Sequence, residues 1–308
     1  GGSIIVAAAA SLLTLQVKVI SALNKETGVE YQTKVLATVL NALNSSETVP
    51  TAALSHGKIM VQRALLELFI TVFNTRDKKL FELLHQTCAL LTSTTIPLCT
   101  SSTNAPELLP SLLRLIHVVL SMQWRHFSFA AVPPGKPGGS LAPNLGALIG
   151  PRITKVDEKF TSEFDLFLQI LLDCMKTPDL PPSIVQDAVS IVLDLGAVLK
   201  LFRVYDFEKR IKPVYLSTIM EVLLNQSQPM HVDSLTGLLR EIANADMQSF
   251  FSEFLPSLVS TMNVPNESKE VVLRSWPHDL YSFSSNCHDF LCECRFAMNR
   301  QRHLQERQ

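Results

Sequence analysis

The chain has 308 residues, of which 47% are hydrophobic and 18% are charged. This apolar content excludes an intrinsically disordered chain, which would combine few apolar residues with a large net charge. The formal net charge is −1, from 27 basic and 28 acidic residues. This balance argues against general binding to nucleic acid or to anionic membranes, because such binding requires a basic excess. Only 11 glycines are present, too few for a turn-rich sandwich or a glycine-loop nucleotide-binding fold.

The first residues, Gly1-Gly2-Ser3, contain no methionine, and we therefore expect the chain to be a fragment of a longer protein. The apolar segment 4–10 follows no basic region, which argues against a secretory signal peptide. No run of about 18 uninterrupted apolar residues is present, so no membrane-spanning helix is expected. Six cysteines are scattered through the chain, and reduced thiols in an intracellular protein fit this spread better than a disulfide framework.

Apolar residues recur at spacings of three and four along almost the whole chain, which predicts one amphipathic helix after another. In the N-terminal half, the predicted helices cover residues 11–24, 31–43, 58–73, 79–91 and 106–122. In the C-terminal half, the apolar stripes run through residues 164–175, 185–199, 216–224, 235–242 and 251–259. The count is roughly ten to twelve helices, and no convincing alternation typical of a β-strand is present.

Short polar breaks separate the stripes, and several of them contain proline. Proline is tolerated in the first helical turn, because the amide hydrogen that it lacks has no acceptor inside the helix there. The helix starts predicted in this way are at Pro50, Pro106, Pro182 and Pro229. Pro213 and Pro256 fall within stripes, where each indicates either a first-turn position or a kink.

Neighbouring stripes form pairs that recur at about 40 residues, the period of HEAT-type helical hairpins. Several helices are apolar on both faces, as at Leu108-Leu109 and Leu112-Leu113. A middle repeat needs two apolar faces, because a neighbour covers it on each side. The sequence therefore predicts an all-α fold, a HEAT-type helical-hairpin solenoid (α-α superhelix). The alternative is a compact all-helical bundle of the same composition.

Residues 132–152 interrupt the helical pattern with prolines and glycines, which disfavour both helix and strand. The predicted organisation is residues 1–131 as HEAT-like helical repeats, 132–152 as a Pro/Gly-rich loop insertion, and 153–308 as C-terminal HEAT-like repeats of one continuous solenoid. The insertion is interpreted as a disordered connection between helices. A loop that contacts a partner and an artefact of the gene model are the alternatives.

The sequence contains no Walker-type Gly-Lys-Ser/Thr, no Gly-x-Ser-x-Gly and no His-Glu-x-x-His motif. Cys287, His288, Cys292 and Cys294 cluster near the C-terminus. However, Cys292 and Cys294 are two positions apart and point to different sides of a helix, which does not suit tetrahedral zinc. We therefore interpret them as free cysteines, and we predict no catalytic, cofactor-binding or metal-binding residues and no cofactor.

Other polar residues have structural interpretations. His85 and His117 lie in apolar stripes and are predicted to be core or groove residues. The two small basic clusters are Lys209, Arg210 and Lys212, and Arg295, Arg300, Arg302 and Arg307. Both are interpreted as solvated helix ends, the second favoured by the helix dipole. Contact of the first with an acidic partner and a specific anion site in the second are the alternatives.

Three segments resemble exportins of the importin-β superfamily, in particular the exportin-6 group. The residues that carry the resemblance are Leu112-Leu113, Val118, Trp124-Arg125-x-Phe127, Glu241-Ile242-Ala243, Ala245-Asp246-Met247, Phe250-Phe251-x-x-Phe254-Leu255-Pro256, Asp279-Leu280-Tyr281-Ser282-Phe283, Asn286, His288 and Phe290-Leu291-Cys292-Glu293-Cys294-Arg295-Phe296. Tyr281 stands where the family has proline, and Cys294 where it has leucine. These departures indicate a divergent relative, and the proline-glycine insertion has no counterpart in the family.

This resemblance implies the C-terminal portion of a nuclear export receptor that binds protein cargo together with Ran-GTP. It further implies profilin–actin as cargo, passage through nuclear pore components, and shuttling between nucleus and cytoplasm. It implies no catalysis by this chain, because the GTP hydrolysis belongs to Ran. The resemblance assigns no partner-contact residues: Trp124, Phe250, Phe251, Phe254 and Pro256 match the family, but we predict that they pack between helices.

Two other functions remain open from the sequence. The first is a helical-repeat scaffold for protein assembly without a transport function, and binding that ignores the nucleotide state of Ran would favour it. The second is an enzyme, which would require a cluster of polar residues in a closed pocket. The sequence shows no such cluster.

Overall fold

Helices form almost all of the secondary structure, as the three-and-four spacing of apolar residues predicts. The computed structural model describes residues 2–22, 28–45, 56–75, 77–100, 105–131, 153–276 and 281–306. These residues belong to two compact units, Gly1–Phe167 and Leu168–Gln308. The predicted all-α class is confirmed.

The first unit contains helices that alternate between two packing partners. They are α1 (Gly2–Ala22), α2 (Gly28–Ser45), α3 (His56–Phe73), α4 (Lys78–Leu90), α5 (Ile96–Cys99), α6 (Ala105–Met122) and α7 (Trp124–Phe127). Helix α3 packs between α1 and α6, whereas α2 packs on α4. The core of α3 includes Leu66, Phe69 and Phe73, which are fully buried. Alternate helices therefore form separate layers, as in helical-hairpin repeats.

The second unit contains the remaining helices. Helix α8 (Thr161–Lys176) crosses the boundary between the units. The others are α9 (Pro182–Leu199), α10 (Lys212–Asn225), α11 (Val232–Ala245), α12 (Met247–Ser249), α13 (Leu255–Thr261), α14 (Asn266–Arg274) and α15 (Phe283–Gln305). Helix α11 packs against α9, α10 and α15, and its Leu235, Leu238 and Leu239 are fully buried.

Buried side-chain hydrogen bonds join each repeat to the preceding one. Gln123 Nε2 donates to the carbonyl oxygens of Phe73 at 2.8 Å and Thr75 at 2.9 Å. Gln228 Nε2 likewise donates to the Thr177 carbonyl oxygen at 2.7 Å. These carbonyls lie at or just beyond the ends of α3 and α8, where a helix has no internal donors left. We call Gln123 and Gln228 the capping glutamines.

The spacing of the joined helices follows from these bonds. Gln123 reaches back 50 residues to Phe73, and Gln228 reaches back 51 residues to Thr177. The Tyr215 hydroxyl donates to the Leu168 carbonyl oxygen at 2.6 Å across 47 residues. These three bonds join helices that lie about 50 residues apart along the chain, farther than the typical HEAT period of about 40 that the stripes predicted.

Three prolines follow π-helical turns at the starts of helical segments. The turns are Leu91–Thr95, Phe207–Ile211 and Phe250–Phe254, and the prolines are Pro97, Pro213 and Pro256. In each case the residue before proline donates its N–H to the carbonyl five residues back. The wider turn accommodates the bond that proline cannot make. Pro213 and Pro256 therefore occupy the first-turn positions predicted as one of their two alternatives.

The other predicted helix starts are found where the structure describes them. Pro182 is the first residue of α9, and Pro106 is the second of α6. Pro229 opens a 3-10 turn, Pro229–His231, that leads into α11. Pro50 lies outside the described residues.

A two-stranded antiparallel ribbon departs from the helical pattern. Strand β1 (Ser128–Ala131) pairs with β2 (Ile153–Val156), with Ser128 opposite Val156. The Asp157 N–H donates to the Phe127 carbonyl oxygen at 2.7 Å and extends the ribbon. No strand was predicted here, because four-residue strands are too short to show an alternation. The predicted insertion, residues 132–152, lies outside the described residues.

Helix α9 is the one described helix that is long and apolar enough to cross a membrane by length and composition. Its fully buried residues Val185, Val189 and Val192 lie on one face, and α9 packs on α11. Asp187 is exposed. A core helix of a soluble protein passes the same test of length and composition, and α9 buries one face against α11.

Replacing Gln123 by methionine tests the capping glutamines. Gln123 is 1% exposed, and methionine keeps its length but leaves two carbonyl oxygens without their donor. We expect the free energy of unfolding to fall by about 1–3 kcal/mol, measured by urea denaturation. The matched control is Gln86→Met on the exposed surface of α4, for which little change is expected. Equal stability of the two variants would contradict the capping role.

Candidate partner-binding surface

The concave features of the described surface are open grooves between helices. In the first unit, a groove of about 680 Å³ between α1 and α3 is lined by Leu15, Met60 and Arg63. In the second unit, a groove of about 710 Å³ between α10 and α13 is lined by Lys209, Pro213 and Phe254. Open grooves with mixed apolar and charged linings suit contact with macromolecules better than enclosure of a small substrate.

The aromatic residues that match the family form a packed cluster in the second unit. The Phe250 ring centroid lies 5.1 Å from that of Phe251 and 5.5 Å from that of Phe254. Trp276 joins the π-helical turn Phe250–Phe254 to α15 through contacts with Phe250 at 5.5 Å and Phe290 at 5.1 Å. Phe250, Trp276 and Phe290 are buried. The cluster holds helices together, and of these rings only Phe254 is partly exposed, where it lines the groove between α10 and α13.

Trp124 and Pro256 are less enclosed. Trp124 is half-buried, with its ring centroid 6.1 Å from that of Phe164. Pro256 is half-buried in the first turn of α13. Both positions serve helix packing and helix initiation.

The basic cluster at the start of α10 is paired within the chain. Lys209 Nζ lies 3.3 Å from Glu208 Oε1, and Arg210 Nη2 lies 3.2 Å from Asp206 Oδ1. Lys212 Nζ lies 3.3 Å from Asp246 Oδ2. The Lys212 side chain is 6% exposed, and an ammonium buried to that degree requires a partner. The cluster therefore has acidic partners of its own.

Asp246 has two roles at the start of α12. Its Oδ1 accepts the Ser249 N–H at 3.2 Å as a helix N-cap, and its Oδ2 accepts from the Lys212 ammonium. Burial alone would raise the pKa of Asp246, but the Ser249 N–H and the Lys212 charge outweigh this effect and lower the pKa. The ionised carboxylate thus ties the start of α10 to the start of α12.

The cysteine and histidine cluster does not converge. Cys287 and Cys294 are buried, whereas Cys292 is exposed on α15 with its Sγ 3.6 Å from His288 Nε2. Within the described ranges, no group of three or more His, Cys, Asp or Glu residues is arranged to hold a metal ion. All six cysteines are free thiols.

The polar residues that match the family have distinct environments. Arg295 Nη2 donates to the Leu223 carbonyl oxygen at 3.4 Å, near the end of α10, so α15 provides a third side-chain donor to a helix end. Arg125 is exposed, and Tyr281 is fully exposed. Asp279 and Leu280 lie outside the described residues, as does Arg307 of the basic tail. Arg300 and Arg302 are exposed on the last turns of α15.

Of the two placements predicted for His85, core or groove, the core is excluded, because its side chain is 62% exposed. Its Nδ1 lies 3.9 Å from Oε1 of the nearly buried Glu163, and its ring contacts Phe160 edge-on. His117 is half-buried, in keeping with a groove residue.

Sequence reasoning missed the residues that join the repeats. Glu67 on α3 accepts from Ser111 Oγ at 3.1 Å and from Arg114 Nη1 at 3.2 Å, both on α6. The capping glutamines were also missed. A glutamine at the end of an apolar stripe, where glycine or asparagine is the usual residue, could have indicated these capping side chains.

We expect one thiol of the native chain to react rapidly with a thiol reagent such as Ellman's. Burial raises the pKa of Cys99, Cys174, Cys287 and Cys294 to about 12, and it also raises that of Cys88. These thiols therefore stay protonated and inaccessible at pH 8. Cys292→Ser should abolish the fast phase, and all six thiols should react in denaturant. Two or more fast thiols in the native chain would contradict this placement.

Asp246→Asn should lower the free energy of unfolding at pH 7 by about 1–2 kcal/mol. This is less than for a fully buried pair, because the Asp246 side chain is 38% exposed and solvent screens it. Asparagine keeps the N-cap and leaves the Lys212 ammonium without its carboxylate.

The effect of this substitution should depend on pH. A lowered native pKa contributes stability above the free-carboxyl pKa of about 3.9, and this stability is lost as pH falls through the native value. The wild type and Asp246→Asn should therefore begin to converge as the pH falls below about 4 in urea unfolding, and converge fully only below the lowered native pKa. Asp187→Asn, on the exposed face of α9, is the control with little expected change. A difference that persists undiminished at pH 3 would disprove the ionic link.

Comparison with known proteins gives the family. The family model described as exportin-6, C-terminal TPR repeats, matches residues 120–298. Exportin-6-A and Exportin-6-B of Xenopus laevis are each 22% identical to this chain over 197 residues, which cover 62% of the chain and 16% of each relative. No solved structure matches.

The family match spans more than half of the chain and contains helices α8 to α14. It supports the helical-repeat prediction, although a TPR repeat has about 34 residues and the bonds between repeats here span 47 to 51. The sequence-based resemblance is confirmed: the chain belongs to the exportin-6 C-terminal repeat family.

Proposed function

We propose that this chain is the C-terminal part of a nuclear export receptor that binds protein cargo together with Ran-GTP. The membership of residues 120–298 in the exportin-6 C-terminal repeat family carries this proposal. The proposed cargo is profilin–actin, and the receptor moves between nucleus and cytoplasm through contacts with nuclear pore components. Because the relatives are matched over only 16% of their length, these partners belong to the proposal for the whole protein.

The described surface supports a binding role. Large apolar side chains are exposed at Leu12, Leu15, Met60, Val198, Tyr205, Val214, Met230, Val271, Tyr281 and Phe296. They are spread over many helices and accompany open grooves in both units. Extended surfaces of this kind bind macromolecules through a few anchor residues. In this proposal the chain performs no catalysis, and GTP hydrolysis belongs to Ran.

Helical repeats also suit the coupling of two partners. Each repeat contacts mainly its neighbours, so small changes at successive contacts add up along the array. Two partners that favour the same curvature then strengthen one another, and reciprocal coupling between linked sites is typically about 1–3 kcal/mol. This range corresponds to an increase of about 5- to 150-fold in cargo affinity when Ran-GTP is bound.

The test compares the full-length parent protein with this chain. Each is immobilised and titrated with profilin–actin in the presence of Ran loaded with GTP or with GDP. We expect the parent to bind cargo tightly only with Ran-GTP, and the affinity of the chain alone to show its share of the cargo surface.

Two results would contradict the proposal. Absence of binding of both cargo and Ran-GTP to the parent would exclude the receptor function. Binding of a protein partner with equal affinity in both nucleotide states would favour the alternative, a helical-repeat scaffold without transport.

A further inference from the structure

The corner that joins α9 to α10 in the second unit carries cationic and apolar side chains on its surface. Helix α9 ends at Leu199, and Lys200 adopts a left-handed conformation with φ of 57°. The 3-10 turn Leu201–Arg203 follows, closed by the Arg203 N–H donating to the Lys200 carbonyl oxygen at 2.9 Å. Residues 198–205 thus form one compact feature, which we call the Arg203 corner.

Two large apolar side chains flank the cations of this corner. Val198 is 63% exposed and Tyr205 is 40% exposed. Arg203 lies between them in the sequence and is exposed, and none of the hydrogen bonds or ion pairs among the described residues involves its guanidinium. Tyrosine and arginine are enriched among the residues that dominate binding energy at interfaces.

A groove of about 520 Å³ lies beside the corner, between the ends of α9 and α11. Its floor is the Phe202 ring, which lies so close to α9 that a Cβ on Gly196 would overlap it. Phe202 also packs on Phe207, with ring centroids 5.5 Å apart. The groove is therefore a fixed part of the fold.

The charges lining this groove favour an acidic ligand. Lys200 and Arg203 contribute two cations, against one carboxylate from Glu241 on α11. The Lys200 ammonium donates to the Ala197 carbonyl oxygen at 2.9 Å and so caps α9. The Arg203 guanidinium is left available, in contrast to Lys209, Arg210 and Lys212, which have acidic partners.

We propose that the Arg203 corner binds an acidic segment of a partner protein. The guanidinium takes a carboxylate in its two-pronged geometry, while an apolar side chain of the same segment contacts Val198 and Tyr205. A nucleic acid requires several cations along its backbone, so one free guanidinium between apolar groups fits a protein segment better. This binding stands apart from the export function and does not depend on it.

The test uses the whole chain, labelled with ¹⁵N, and a synthetic probe. The probe is the blocked peptide Ac-Glu-Glu-Leu-Glu-Glu-Leu-NH₂, and the same peptide with glutamine in place of glutamate is the matched control. Weak binding is visible as shifts of individual signals. We expect saturable shifts concentrated at residues 196–205 and at the Arg203 side-chain N–H with the acidic peptide only.

Arg203→Glu should weaken binding of the acidic peptide by about tenfold, the loss expected for a hydrogen bond to a charged group. Arg274→Glu changes the net charge equally at an exposed position on α14, and binding should change less than about twofold. Val198→Gln should also weaken binding, whereas Met230→Gln, another exposed apolar position, should not.

Several results would overturn the proposal. These are no shifts at the corner, shifts spread over exposed arginines elsewhere, equal binding of the glutamine peptide, or equal losses in the two arginine variants. Two further probes, a short single-stranded RNA and vesicles containing phosphatidylserine, address other classes of partner. If either probe binds the corner more tightly than the acidic peptide, and Arg203→Glu abolishes that binding, the partner is a nucleic acid or a membrane and not a protein segment.

Discussion

Side-chain donors that reach carbonyl oxygens near the end of an earlier helix join successive parts of the helical array. The last carbonyl oxygens of a helix have no acceptor role inside it, and leaving them buried without a donor costs about 1–3 kcal/mol each. Gln123 and Gln228 supply these donors in the first and second unit, respectively. Arg295 donates to the Leu223 carbonyl oxygen near the end of α10, which also accepts from the Gln226 N–H. A hydrogen bond to one defined carbonyl fixes which residues of two helices face each other, so these side chains add a defined register to the apolar packing.

The prolines impose a second constraint, at the opposite ends of the helices. In each π-helical turn, the residue just before the proline bonds to the carbonyl five residues back instead of four. The helix therefore continues past the proline instead of ending there. The turns Phe207–Ile211 and Phe250–Phe254 also place aromatic rings in the core. The Phe207 ring contacts Tyr215, and the Phe250 ring contacts Trp276. The Lys212–Asp246 ion pair links the chain segments next to these two turns. Local backbone geometry and tertiary packing therefore specify the same arrangement.

Apolar periodicity predicted most of the fold, because burial of one helix face dominates the energetics of each element. It placed helices α3, α6 and α8 to α11 and gave the first-turn prolines. It failed for the repeat length, since hydrogen bonds such as that of Gln228 to Thr177 leave no periodic trace. It missed Trp276, a single aromatic residue outside any stripe. The sequence pattern also did not predict the Arg203 corner. The turn that exposes Arg203 depends on Lys200 in a left-handed conformation and on Gly196, one helical turn earlier.

The β1–β2 ribbon has a consequence for how this protein varies in length. By pairing Ser128–Ala131 with Ile153–Val156, it brings the two ends of the intervening connection together independently of what lies between them. The entropy of closing a connection grows only logarithmically with its length, by about 0.6 kcal/mol for each doubling. Insertions and deletions at this position therefore cost the helical framework little. The ribbon makes it a natural entry point for added sequence during evolution and for a reporter domain in the laboratory.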